Sequence, residues 1–110
     1  MSLDNSAAAV ERVREYLPQT YLQEMPGGSV PGIDVPTNVN VVDYKHWARK
    51  DVSDDMVYKA VKSLWTNEKM ALDSGPVWMG FSKEIMSKDV GLDYHPGAIK
   101  FYKEMGTWSR

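Results

Sequence analysis

The sequence predicts a helix-rich α/β fold with one main β-strand. Three observations support this class. Several stretches repeat apolar residues at helical spacing, one stretch alternates β-branched and polar residues, and a segment rich in proline and glycine precedes that strand. With 110 residues, of which 43% are hydrophobic and 25% charged, the chain is long enough for one domain or for part of a larger one.

The first predicted helix spans about residues 6–16. Asn5 or Ser6 provides a side-chain oxygen that can accept a free backbone N–H of the first turn. The apolar residues of one face follow the i, i+3, i+7 spacing: Val10, Val13 and Leu17. Pro18 ends the helix, because a proline disfavours the helical conformation in the residue before it.

The next segment, residues 25–36, predicts a loop. Its sequence MPGGSVPGIDVP holds three prolines and three glycines, a density that excludes a regular element. Loops of this length are often linkers or binding loops, and composition favours neither over the other.

Residues 37–44, TNVNVVDY, form the one clear predicted strand. Val39 and Val41 share one face of this strand. A lone strand leaves its N–H and C=O groups unpaired, and the rest of the sequence offers no clear second strand. We therefore expect either missing chain or a second copy of the protein to complete the sheet.

A second helix is predicted from the residues after Ser53 to about Asn67. Ser53 is a favourable cap, and Asp54 and Asp55 suit the positive end of the helix dipole. Its apolar face consists of Met56, Val57, Ala60, Val61, Leu64 and Trp65.

Two further helices are predicted toward the end of the chain. The third begins at Gly75-Pro76 and ends near Gly91, with Trp78, Phe81 and Ile85 on its apolar face. The last begins at Pro96, and Gly106 suits the left-handed turn that ends many helices. Its apolar face consists of Ala98, Ile99, Phe101, Tyr102 and Met105.

Composition excludes several functional classes. The net charge is −2 and the lysines and arginines form no cluster, so we expect no nucleic acid partner. The lack of cysteine excludes disulfides, zinc–thiolate sites and thiol catalysis. No apolar stretch has transmembrane length, and the N-terminus lacks the pattern of a signal peptide. Residues 1–3, MSL, are typical of an expression-vector remnant, which leaves residues 4–110 as the natural segment.

The two histidines predict neither a metal site nor a cofactor site. His46 and His95 are 49 positions apart and lack a converging ligand pattern. His46 is either an acid or base near Asp43 or Asp51, or a polar residue at the end of the strand, and we favour the second interpretation. The glycines of PGGSVPG lack the spacing of a phosphate-binding loop, so we expect no cofactor.

A catalytic triad of Ser82, His95 and Asp93 has weak support, because no G-x-S-x-G turn presents the serine. The alternative is that His95 caps or flanks the helix that begins at Pro96. We predict no catalytic residue.

Three stretches, in the same order and at similar separations, resemble the TAXI-type solute receptors of TRAP transporters. MPGGSVPGIDVPT, residues 25–37, is similar to the family loop I-P-A-G-T-Y-P-G…V-P-T. VSDDMVYKAVKSLW, residues 52–65, resembles the helix D-L-P-E-D-L-V-Y-x-I-T-K-A-L-F. DYHPGAIKFYKEMG, residues 93–106, resembles the terminal signature H-P-G-A-x-x-Y-Y-x-E-x-G.

The resemblance implies a C-terminal fragment of a two-lobed, type II periplasmic-binding-protein-like fold without enzymatic activity. Such a receptor captures a small organic solute, often an acid such as glutamate or a dicarboxylate. It delivers the solute to membrane permease subunits driven by an ion gradient. The full-length protein is then expected in the periplasm or at the outer face of the cytoplasmic membrane, with an export signal that this chain lacks. The fragment itself is expected to form a homodimer or a swapped dimer.

Two positions match family residues of the loop. Ser29 stands where the family has threonine, and Thr37 matches the threonine after V-P, so both are expected to contact the ligand or the hinge between lobes. Val30 departs from the family by replacing a tyrosine, and residues 69–90 match poorly. The alternatives are a standalone interaction module and, less favoured, a small hydrolase that uses His95 and Asp93.

Overall fold

The computed structural model describes residues 1–110 and contains four α-helices and a two-stranded antiparallel sheet, which confirms the predicted α/β class. The chain divides into a first unit, Met1–His46, and a second unit, Trp47–Arg110. The elements of the first unit are α1 (Ala7–Tyr16), β1 (Thr20–Met25) and β2 (Thr37–Val42). Those of the second are α2 (Asp54–Thr66), α3 (Glu68–Asp73), α4 (Pro96–Glu104) and two 3₁₀ turns, Pro76–Trp78 and Lys83–Ser87.

Helix α1 forms as the sequence predicts. The Ser6 hydroxyl oxygen accepts the backbone N–H of Ala9 at 3.3 Å, which satisfies one of the free donors of the first turn. Leu17 leaves the helical conformation with φ at −133°, as expected for a residue before Pro18.

Strand β2 has a partner within the chain, so the prediction of a strand without one is wrong. β1 pairs with β2 in antiparallel register, from Thr20 opposite Val42 to Met25 opposite Thr37. The sequence of β1, TYLQEM, does not predict a strand. Its two adjacent apolar residues, Tyr21 and Leu22, are followed by two adjacent polar residues, Gln23 and Glu24, so the sequence lacks the alternation typical of a strand. β2 ends at Val42, two residues earlier than predicted.

The first unit lacks a fully buried side chain. Val10 and Val13 of α1 and the side chains of β1 are half-buried at best, and Tyr16 and Tyr44 remain 78% and 84% exposed. A unit of this size normally has difficulty in burying enough apolar surface to be stable by itself.

The second unit has a small aromatic core between α2 and α4. Its buried apolar residues are Val57, Ala98, Phe101 and Tyr102. As predicted, α2 begins after Ser53, whose hydroxyl accepts the Met56 N–H at 3.3 Å, and it ends next to Asn67.

The helix predicted to begin at Gly75-Pro76 does not form. Gly80 adopts a φ of +81°, a left-handed conformation that a right-handed helix excludes, and only 3₁₀ turns lie on either side of it. Trp78 and Phe81 still contact each other edge to face, with ring centroids 5.2 Å apart. The short helix α3, which the sequence did not predict, precedes this segment.

Candidate functional site

The histidine of the terminal signature holds two backbone segments together. His95 is the N-cap of α4, and its Nδ1 accepts the Gly97 N–H at 3.2 Å. A ring nitrogen that accepts carries no proton, so the proton lies on Nε2, which donates to the Val52 carbonyl oxygen at 3.0 Å. The ring is only 11% exposed. Both ring nitrogens of His95 therefore stabilise the position of α4 beside the start of α2.

This geometry confirms that His95 caps a helix and argues against the triad of Ser82, His95 and Asp93. A general base needs a free lone pair directed at the nucleophile, whereas the Nδ1 lone pair of His95 is directed at the Gly97 N–H. The carboxylate near Nδ1, at 3.8 Å, is that of Asp54.

Gly97 lies in close contact with the backbone of α2. A Cβ atom at this position would overlap the carbonyl group of Asp54, and Gly97 is itself buried. Because only glycine leaves this space, the first turns of α2 and α4 can approach each other. The H-P-G-A part of the signature is thus a helix-docking motif: a cap, a first-turn proline, a contact glycine and the buried Ala98.

The rest of the signature completes the same contact. Phe101 is 1% exposed, and its ring lies edge to face with Tyr58 and Trp65, each with centroids 5.5 Å away. The Tyr58 hydroxyl donates to Glu104 Oε2 at 2.6 Å, and this hydrogen bond raises the pKa of Tyr58. Burial raises the pKa of Tyr102 to about 12.

Replacing His95 with alanine should lower the free energy of unfolding of the second unit by about 1–2 kcal/mol, because a cap and a link to Val52 are lost together. His95→Asn should restore part of this loss, since asparagine is a good N-cap but is too short to replace the second link. Urea denaturation followed by tryptophan fluorescence measures both changes. Equal stability of the wild type and His95→Ala would contradict the structural role.

The loop of residues 26–36, between β1 and β2, closes on itself through its own backbone. The Gly28 N–H donates to the Ile33 carbonyl at 2.5 Å, and the Ile33 N–H donates to the Val30 carbonyl at 3.1 Å. A Cβ at Gly27 would lie 2.6 Å from the Asp34 carbonyl oxygen, so the base of the loop needs glycine. This role of Gly27 was not predicted, although the P-G-G sequence is a signal for a close approach of two backbone segments.

The two predicted site residues lie in or beside this loop. Ser29 lies at its tip, and Thr37 is the first residue of β2. The Ser29 hydroxyl donates to the Pro26 carbonyl, and the Thr37 hydroxyl donates to the Val35 carbonyl at 2.7 Å. No hydrogen bond joins the two residues to each other. Both hydroxyls stabilise the local turn, and their role in ligand binding or in a hinge stays a prediction.

The second unit has an open groove of about 420 Å³ beside Tyr94, Trp108 and Arg110. The Arg110 guanidinium lies 4.1 Å from the Trp108 ring centroid and donates to the Ser87 carbonyl at 3.0 Å. Asp89 and Asp93 line the same groove, so an acidic solute would meet two carboxylates there. This groove was not predicted, because Trp108 and Arg110 lie beyond the signature that ends at Gly106. The histidine and carboxylate side chains form no group of three or more that could hold a metal ion. None of the four helices has the length and hydrophobicity of a membrane span.

The recognisable motifs of this chain thus shape a loop and the contact between α2 and α4. A comparison with known protein families identifies the family of this chain. The family model described as NMT1-like matches residues 6–106, nearly the whole chain, and the protein belongs to the NMT1-like family. This family is associated with periplasmic solute-binding proteins and with substrate binding in transport systems.

Proposed function

We propose that this chain is the C-terminal part of the solute-binding component of a TRAP-type secondary transporter, of the TAXI type. The protein captures a small organic acid, such as glutamate or a dicarboxylate, and delivers it to the permease subunits without changing the solute chemically. It works in the periplasm or at the outer face of the cytoplasmic membrane. The match of residues 6–106 to the NMT1-like family is the observation that carries this proposal.

The geometry of the loop supports a role in binding. Carboxylates are recognised by N–H and O–H donors. The backbone N–H groups of Gly28, Ser29 and Ile33 already donate within the loop, so the donor that it offers to a carboxylate is the Ser29 hydroxyl. The exposed Ser29 hydroxyl can rotate from the Pro26 carbonyl toward a ligand oxygen, because a hydroxyl hydrogen turns freely about its C–O bond. Thr37 holds the end of the loop at the start of β2.

Isothermal titration calorimetry with glutamate and succinate tests this proposal, with glutamine and succinamide as uncharged controls. The titrations use this chain and the full-length product of its gene. We expect both acids, and neither amide, to bind. Ser29→Ala should weaken binding about fivefold, the effect of one lost hydrogen bond of about 1 kcal/mol.

Ser63→Ala is the matched control, because Ser63 is exposed on α2 and lies outside the loop. Binding of the amides as tightly as the acids, or no binding of any solute to the full-length product, would contradict the acidic ligand class. An unchanged affinity of Ser29→Ala would contradict the placement of the site in the loop.

A standalone interaction module is the second candidate function. The observation that favours it is the lack of a fully buried side chain throughout Met1–His46, since such a unit gains stability from a partner.

A further inference from the structure

The outer edge of β2, the edge that faces away from β1, is only partly occupied. The Leu3 N–H donates to the Asn38 carbonyl at 3.0 Å, and the Asn38 N–H donates to the Ser2 hydroxyl at 2.8 Å. The N–H and C=O of one strand residue point to the same side of the strand, and those of successive residues point to opposite sides. Asn38, Asn40 and Val42 therefore face outward, and only Asn38 has a partner on this side.

The residues of β2 itself offer no protection against the addition of another strand. Proteins usually protect an exposed edge with lysine, proline or a bulge, whereas the six residues of β2, TNVNVV, contain no charge and no proline. Val42 is 52% exposed at the end of the strand. The edge thus combines free hydrogen-bonding groups with an uncovered apolar side chain.

We propose that the outer edge of β2 pairs with β2 of a second copy of this chain, antiparallel and about a two-fold axis at Asn40. Residues 2–3, which are predicted to be a vector remnant, contact Asn38 in this chain and therefore compete with the second copy for this edge. The homodimer extends the two-stranded sheet of the first unit to four strands, and it does not depend on the proposed binding of a solute. β1 occupies the other edge of β2 and leaves this edge accessible.

The register of this pairing is self-complementary. Asn40 lies opposite Asn40 of the second copy, and Asn38 lies opposite Val42, with two hydrogen bonds exchanged by each pair. Asp43, which follows the strand, lies opposite Thr37, so that no two like charges face each other. The Leu3 N–H on the Asn38 carbonyl shows that a backbone donor of the same chain can reach this edge.

A cysteine at the two-fold axis tests the proposal, because the chain contains no other cysteine. In Asn40→Cys the two Cα atoms of the dimer would be about 5.5 Å apart, a distance that suits a disulfide. Glu24→Cys is the matched control, since Glu24 pairs with Asn38 and faces the opposite edge of the same sheet. In a glutathione redox buffer, Asn40→Cys should form a covalent dimer at least about ten times faster than Glu24→Cys.

Analytical ultracentrifugation provides the second measurement. Deletion of residues 1–3 should lower the dissociation constant of the dimer about tenfold, because the competing hydrogen bonds at Asn38 are removed. Equal cross-linking of the two cysteine variants, or a strict monomer at millimolar concentration, would overturn the dimer. An unchanged dissociation constant after the deletion would overturn the competition.

Discussion

Phe101→Ala is expected to lower the free energy of unfolding of the second unit by about 3–5 kcal/mol. Phe101 is the largest fully buried side chain, and its ring contacts Tyr58 and Trp65 across the α2–α4 contact. Its removal leaves a cavity that helices joined through His95 and Gly97 can close only in part. A loss of this size is a large part of the stability of a small domain.

Chemical denaturation followed by tryptophan fluorescence measures the effect, because Trp65 and Trp108 lie against the core. Phe81→Ala is the matched control, since the chain has only two phenylalanines and Phe81 is half-buried against Trp78. The control should lose about 1–2 kcal/mol, in proportion to its smaller buried area. Equal losses in the two variants would show that the α2–α4 contact is not the main core.

Gly97→Ala is expected to destabilise the second unit by about 2–3 kcal/mol, although alanine is the better helix former by about 1 kcal/mol. The new Cβ overlaps the Asp54 backbone carbonyl, which cannot move aside as a flexible side chain can. The first turns of α2 and α4 must separate, and the link between His95 and Val52 is strained as they do so.

The same denaturation experiment measures this change, with Lys103→Ala on the exposed side of α4 as the control. The control should stay within about 0.5 kcal/mol of the wild type. A Gly97→Ala variant that is as stable as the wild type, or more stable, would mean that helix propensity dominates and that the close approach is unimportant.

The helix ends were predictable because each depends on a local interaction. Ser6, Ser53 and the His95-Pro96 pair determine where three of the helices begin, and these caps involve residues only two or three positions apart. The α2–α4 core was predictable in part, because the apolar faces of both helices follow the helical period.

The elements that were predicted incorrectly depend on interactions that cannot be recognised within one short segment of the sequence. β1 is a strand because β2 pairs with it, and its own pattern shows no alternation. The helix expected after Gly75 does not form, because the backbone at Gly80 is left-handed. The sequence around Gly80 does not distinguish this glycine from the others, so its conformation was not predicted.

The position of the candidate loop was predictable from the sequence, but the hydrogen-bond partners of its hydroxyl groups were not. The density of proline and glycine places the loop, whereas the structure shows that both matched hydroxyls already donate to the backbone, Ser29 to Pro26 and Thr37 to Val35. A hydrogen bond of this kind depends on the path of the backbone through the turn, which composition does not specify.

The contact between α2 and α4 has a kinetic consequence. Val52 and His95 are 43 positions apart, and Tyr58 and Glu104 are 46 apart, so the core forms only after a long loop has closed. Contacts between residues so far apart in sequence require the chain to lose conformational entropy before the contacts stabilise it. Folding is slower for this reason. During synthesis, α2 emerges from the ribosome before its partner exists. Its apolar face stays open to chaperones and to misassociation until α4 has been translated.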